Sequence, residues 1–213
     1  FHKLGTKQSE DKLIFGGDKT PRRYLGAGVS EDQRYLIISA ANATNGNELY
    51  IKDLQKGGDF VQIVNGFDIN ASIVDTQGDD LFIFTDKDAP NMRLVKTTIS
   101  NPAPATWKDV IPQTENVLGI SSGGGYFFAT YMIDAIDQVK QFDKAGKLIR
   151  EITLPGKGNI SGFGGKEKEK DVYFSFSNYI TPGTTYKFNV DSGKSEVYQK
   201  PKVKFNPDDY VSE

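Results

Sequence analysis

An all-β chain of the propeller type, with four four-stranded blades preceded by half a blade, is what the sequence predicts. Three observations carry that expectation. The runs Arg34-Tyr35-Leu36-Ile37-Ile38, Asp80-Leu81-Phe82-Ile83-Phe84, Tyr126-Phe127-Phe128-Ala129-Thr130 and Val172-Tyr173-Phe174-Ser175-Phe176 place their second residues at 35, 81, 127 and 173, three successive steps of 46. A fixed period of this size, carrying strand-like segments, marks a radial repeat of β-sheets. Helical periodicity is absent, and 10 tyrosines and 14 phenylalanines against 2 methionines favour strands.

Each repeat divides into four strands. The first blade (18–65) has them at 25–30, 34–40, 48–54 and 60–65, and the second (66–111) at 69–75, 80–85, 93–99 and 107–111. The third (112–154) has them at 117–122, 126–132, 138–143 and 148–154, and the fourth (155–200) at 160–164, 171–178, 185–190 and 194–198. Glu31-Asp32-Gln33, Gln77-Gly78-Asp79, Gly123-Gly124-Gly125, Lys144-Ala145-Gly146 and Asp191-Ser192-Gly193 supply the permissive backbone that hairpins need. Second strands are apolar along most of their length, as packing on both faces requires. Residues 1–17 hold two strand-like runs, 1–4 and 12–15, which fit the end of a preceding blade. The chain therefore reads as a fragment that begins inside a blade. Its cut edges lead us to expect either self-association or a distorted first half-blade.

Composition narrows the function classes. With 213 residues, 37% hydrophobic and 25% charged, the chain can bury a sizeable core. A net charge of −2 with interspersed signs lacks the basic footprint of a nucleic-acid binder. No apolar run approaches the roughly 20 residues that span a bilayer, and no signal-type apolar segment follows Phe1-His2-Lys3-Leu4. A soluble chain is expected, with cytoplasm and periplasm both open. Absence of cysteine and a single histidine argue against a thiol nucleophile and a zinc site, so neither metal nor cofactor is expected.

Strand alternation sorts the loops. Connections from second to third strands, and from one blade to the next, emerge on one face; the remaining turns emerge on the other. The first face carries 42–47, 86–92, 133–137 and 179–184, longer and chemically richer than the tight turns opposite. Function concentrates on loops held by a rigid scaffold.

Several motifs yield to plainer explanations. Gly119-Ile120-Ser121-Ser122-Gly123 fits the G-x-S-x-G pattern of a nucleophile elbow, but it leads into a glycine turn and a strand, where the elbow needs a helix. His2 is read as an ordinary residue. Asp86-Lys87-Asp88 lacks the alternating ligands and glycine of a calcium loop, and Gly162–Gly165 lacks the Lys-Ser/Thr of a phosphate loop. The charges at 166–171 read as a solvated turn, and Trp107 as packing against an adjacent blade.

The residues Phe1-His2-Lys3-Leu4-Gly5-Thr6-Lys7-Gln8-Ser9-Glu10-Asp11, Val29-Ser30-Glu31-Asp32-Gln33-Arg34-Tyr35, Asn47-Glu48-Leu49-Tyr50-Ile51-Lys52-Asp53-Leu54, Thr85-Asp86-Lys87-Asp88-Ala89-Pro90-Asn91-Met92-Arg93-Leu94 and Ser161-Gly162-Phe163-Gly164-Gly165 run in the order seen in the prolyl oligopeptidase (prolyl endopeptidase) family. The chain resembles its propeller along its whole length. The resemblance implies a seven-bladed propeller covering a separate α/β-hydrolase domain that cleaves short peptides after proline with a Ser-Asp-His triad. On that reading, residues 1–200 are the last four and a half blades and 201–213 begin the crossing to the hydrolase domain. The triad would lie outside this chain, which alone would be inactive. Its partners would be the hydrolase domain, the earlier blades of the same protein and short proline-containing peptides, with no nucleic acid and no membrane. The resemblance also points to Asn45, Lys87, Asp88, Asn91 and Arg93 as substrate- or interface-facing. Family members often carry an arginine where Lys87 stands, and the lysine keeps the charge but loses the planar fork. The 42–47 loop resembles a mobile interface loop. The competing expectation is a free-standing propeller interaction module, although no WD or kelch signature recurs.

Overall fold

The computed structural model describes residues 1–19, 22–205 and 209–210. Among them, sixteen strands form four antiparallel sheets, each of four strands in chain order. The chain divides into two compact units, Phe1–Ala71 and Ser72–Glu213.

The first unit holds β1 (Tyr24–Val29), β2 (Tyr35–Ala41), β3 (Glu48–Asp53) and β4 (Val61–Val64). The side chains of Tyr35, Ile38, Ala40, Leu49, Ile51, Ile63 and Val64 are buried. The hairpin between β1 and β2 is set by Asp32, whose carboxylate accepts from the Ser30 hydroxyl at 2.6 Å and the Arg34 amide at 3.1 Å. Arg34 then reaches over to Asp53 at 2.9 Å, joining β2 to β3. The strands expected at 1–4 and 12–15 do not form. Phe1 and Lys12 exchange one pair of backbone hydrogen bonds, at 2.7 and 3.1 Å. Between them the chain folds into a turn closed from Thr6 to Lys3 and a 3-10 turn, Gln8–Glu10, which divert the groups a ladder would need. Two lone strands are marginal in any case. Phe15 anchors the segment instead, its ring 4.8 Å from that of Tyr50 and 5.2 Å from that of Phe60.

The second unit stacks three sheets. Its strands are β5 (Ala71–Gln77, begun by the last residue of the first unit), β6 (Asp80–Thr85), β7 (Arg93–Thr98), β8 (Lys108–Ile111), β9 (Leu118–Gly123), β10 (Tyr126–Ile133), β11 (Ile136–Phe142), β12 (Leu148–Ile152), β13 (Asn159–Gly164), β14 (Asp171–Ser177), β15 (Thr184–Asn189) and β16 (Ser195–Gln199). Successive side chains of a strand point to opposite faces, and β10 shows the result. Phe127 enters a core with Phe82, Leu94, Ile111 and Leu118, while Phe128 enters one with Phe163, Phe174, Phe188 and Val190. All of these side chains are buried, and the rings meet at 5.0 Å for Phe82–Phe127 and 4.9 Å for Phe128–Phe163.

Phe163 reaches that core through an irregularity. It sits at φ +63°, where the register between β13 and β14 shifts between Gly162 and Gly164, so the extra residue turns its ring inward. Gly146 shows a complementary constraint: at φ +84°, a Cβ there would strike the Val110 carbonyl. Residues 206–208 and 211–213 of the expected crossing at 201–213 lie outside the described residues, as do 20–21 in the connection before β1.

Candidate functional site

In the first unit, the loop after β2 carries Asn45. Its side-chain oxygen accepts from the Asn70 amide at 2.7 Å, and the Asn70 oxygen in turn accepts from Gly46 N at 2.9 Å. Gly46 is held at φ +76° with its Cα pressed towards the Phe67 carbonyl, leaving no room for a Cβ. The buried Asn47 completes the tie. Its amide oxygen accepts from Ala71 N at 3.0 Å, its amide nitrogen donates to Ala71 O at 2.9 Å, and its backbone donates to Ile69 O at 3.0 Å. The loop expected to be the mobile one is thus bonded along its second half to residues 69–71 of the same unit.

In the second unit, Lys87, Asp88, Asn91 and Arg93 occupy the segment leading into β7. Lys87 N donates to Thr85 Oγ1 at 3.1 Å, and its ammonium lies 2.7 Å from Asp88 Oδ2. The hydrogen bond and charge of Lys87, with a smaller contribution from Arg93, hold the Asp88 carboxyl below the usual carboxylate range. Asp88 is the more exposed partner, at 74% of its side chain against 30% for Lys87. Asn91 turns away from solvent chemistry. Its amide donates to Thr114 O and Glu115 O, both at 3.0 Å, and its carbonyl accepts from Leu118 N at 2.9 Å. Arg93 pairs sideways with Asp109 at 3.0 Å, and its Nε has no hydrogen-bond partner among the described residues. The four residues therefore do not converge: Lys87 and Asp88 form one presented pair, while Asn91 and Arg93 hold the loop and strand. Asn45 belongs to the first unit.

The same tie recurs at the third blade. Asp137 N donates to Gly158 O at 3.0 Å, and its carboxylate accepts from Ile160 N at 2.7 Å. Asn47 and Asp137 thus do one job, fastening the loop between second and third strands to the opening of the next blade. A short side chain with an acceptor oxygen at both places was the available signal in the sequence.

A cleft of about 620 Å³ opens beside that tie, lined by Met132, Asp134, Ile136, Lys157, Asn178 and Tyr179 among others. Sequence reasoning missed it. The hairpin between β10 and β11 has only two central residues, Asp134 and Ala135, at φ +51° and +62°. Turns of this kind match strand twist, but a left-handed alanine costs about 1 kcal/mol. Asn178 shapes the opposite wall: its amide donates to Lys157 O at 3.0 Å and its oxygen accepts from Ile180 N and Thr181 N.

Other candidates resolve plainly. The Ser121 hydroxyl donates to Gly162 O at 2.9 Å from within β9, and the chain turns through Gly124-Gly125 straight into β10. It is a strand residue bonded to the neighbouring blade. His2 Nδ1 lies 2.6 Å from Asp11 Oδ1. Trp107 donates its indole N–H to Pro102 O within its own loop, at 3.0 Å. The turn at 166–171 is largely exposed, and Glu167 within it pairs with Lys144 at 3.3 Å, which also pairs with Asp75. Among the described residues, no group of three or more His, Cys, Asp or Glu is placed to hold a metal ion.

Stacked four-stranded sheets with tied loops define a β-propeller segment, and comparison with known proteins places it. The model of the family described as "Prolyl oligopeptidase, N-terminal beta-propeller domain" matches residues 1–201. The chain belongs to that family. It is 70% identical over 213 residues to a prolyl endopeptidase of Elizabethkingia meningoseptica, covering all of this chain and 30% of that relative. A prolyl endopeptidase of Dictyostelium discoideum is 27% identical, with 99% of this chain and 30% of the relative covered. One solved prolyl endopeptidase structure superposes with a TM-score of 0.89 at 31% identity, over 97% of this chain and 30% of that one. Prolyl oligopeptidase B from Galerina marginata, solved as the apo protein, gives 0.87 at 25% identity, over 98% of this chain and 31% of that one. The chain thus spans about 30% of the length of these relatives and corresponds to their propeller part.

Proposed function

We propose that this chain is the non-catalytic propeller segment of a proline-specific serine endopeptidase, forming part of a cover over the active site of an α/β-hydrolase domain. The observation that carries the reading is the family match along residues 1–201, joined to 70% identity with a prolyl endopeptidase. Cleavage after proline is the work of the complete protein, and this segment contributes a wall that admits short flexible peptides and excludes folded ones. Its partners are that hydrolase domain, the earlier blades and proline-containing peptides.

The tied loops suit a cover. A wall selects by size only if its edges hold their position, and Asn47, Asn91 and Asp137 anchor three loops to neighbouring strands. Lys87 and Asp88 present a charge pair on this wall, available to polar groups of a passing peptide.

The test compares the isolated chain with the complete protein on a Gly-Pro reporter peptide and on a folded protein containing the same sequence. The expected result is no turnover by the chain, and turnover of the peptide but not the folded protein by the complete protein. Turnover by the rigorously purified chain, or failure of the complete protein to cut after proline, overturns the reading.

A further inference from the structure

We infer that the cleft between the third and fourth blades is a docking groove for a short unblocked peptide, recognised by its two charged ends and an apolar residue between them. The inference rests on the reading above and adds a site to it. Two kinds of observation carry it. The first is apolar surface: Tyr179 is fully exposed and Met132 is 57% exposed, and both line the cleft together with Ile136. Aromatic and thioether side chains of this kind receive proline rings and other apolar side chains.

The second is charge. Asp134 stands on the two-residue hairpin and Lys157 on the connection to the fourth blade, and both line the same cleft. Neither side chain is held in an ion pair or hydrogen bond among the described residues, although most charged neighbours in this unit are paired. One unpaired carboxylate and one unpaired ammonium in a cleft that also has apolar lining complement a zwitterion with an apolar middle, which is what an unblocked short peptide is. The walls are fixed rather than adaptable. Asp137 ties the hairpin to Gly158 and Ile160, and Asn178 ties its own loop to Lys157, so the groove is preformed and docking requires little ordering.

The experiment is an amide NMR titration of the 213-residue chain with the unblocked pentapeptide Ala-Phe-Pro-Leu-Ala. Shifts centred on residues 132–136, 157–159 and 177–179 are expected. Tyr179→Ala and the double variant Asp134→Asn/Lys157→Gln should each weaken binding about fivefold or more, roughly one kcal/mol. Tyr179→Phe should retain it, and acetylating and amidating the peptide should weaken it as the double variant does. The unperturbed remainder of each spectrum reports that the variants are folded. Absence of shifts at these residues at millimolar peptide, or equal affinity for the chain and the variants, overturns the groove. The two readings fail separately. Loss of the groove leaves proline-specific cleavage by the complete protein intact, whereas a complete protein unable to cut after proline overturns the function even if the pentapeptide binds here.

Discussion

The Lys144 ammonium lies 4.2 Å from the centroid of the Phe127 ring, beneath the turn that joins β11 to β12. From there it reaches Asp75 on the second blade and Glu167 on the fourth. One side chain from the middle blade of the second unit thus bridges to both neighbours, at the end of β11 opposite the Asp137 tie. Only 14% of the lysine side chain is exposed, so aromatic face and carboxylates together replace its hydration.

Lys144→Met should therefore leave Asp75, whose side chain is 18% exposed, without its cation. A loss of about 2 kcal/mol is expected, below the range for fully buried pairs because both groups retain some solvent contact. Lys170→Met removes an exposed pair with Asp191 and should cost at most about 0.5 kcal/mol. Urea denaturation midpoints of the two variants check the contrast.

Phe163 sets burial against backbone strain. Its left-handed conformation costs about 1–2 kcal/mol, whereas truncating a buried phenylalanine to alanine costs about 3–5 kcal/mol, so burial wins. Phe163→Ala should accordingly destabilise by several kcal/mol. Phe163→Gly should be no worse despite the larger void, because glycine releases the strain. Thermal unfolding of both variants decides this, and a markedly less stable glycine variant would show that the bulge is unstrained.

Asn47→Ala strips both partners from Ala71 and leaves a buried amide and carbonyl unpaired, at a cost of about 1–3 kcal/mol. Asp137→Ala should behave alike through Ile160 N, and Asp137→Asn should restore much of the loss, since the amide keeps an acceptor oxygen. Hydrogen exchange at Ala71 and Ile160 reads each tie directly. Unchanged protection in both alanine variants would remove the fastening role.

Asp53 gives a pH dependence of known sign. The Lys56 backbone N–H, foremost, and the Arg34 side chain and Gln55 N–H hold its carboxyl below the usual range, against a smaller opposing effect of desolvation. A folded-state pKa below the unfolded one adds stability above the ordinary carboxylate range, and that stability is lost as pH falls through the folded value. The melting temperature of the chain should thus drop between about pH 5 and about pH 2, and Asp53→Asn should flatten part of that drop. Parallel acid profiles for the two proteins would contradict it.

Asp88→Asn should free Lys87 from its neighbour and lower KM for peptides with an acidic residue in the complete peptidase, while neutral peptides change little. Steady-state kinetics on an acidic and a neutral peptide of equal length provide the check.

The blades were legible because each is written locally. Leu81, Phe127 and their neighbours announce buried second strands, and glycine or aspartate pairs announce hairpins, so each of the sixteen strands overlaps its sequence-based expectation. The misreading at 1–4 and 12–15 arose because Phe1, Leu4 and Leu13 stay exposed and Phe15 alone docks on the first blade, so no ladder forms there. Of the residues expected to face substrate, Asn91 and Arg93 have local partners that a linear pattern does not display. Lys144 meets a carboxylate 69 positions away, and the Asp134–Lys157 cleft exists only once two blades are side by side. Such relationships belong to packing, and no window along the chain contains them.

Phe127 and Phe128 give β10 a phase as well as a composition. One aromatic faces each way, separated by a single peptide step of about 3.4 Å. Substituting either ring perturbs one seam between blades, but adding or deleting one residue ahead of them would exchange the faces and mismatch both seams at once. The middle blade can therefore drift in sequence far more readily than in length, and natural variation in strand β10 should consist of replacements, with indels confined to its flanking turns.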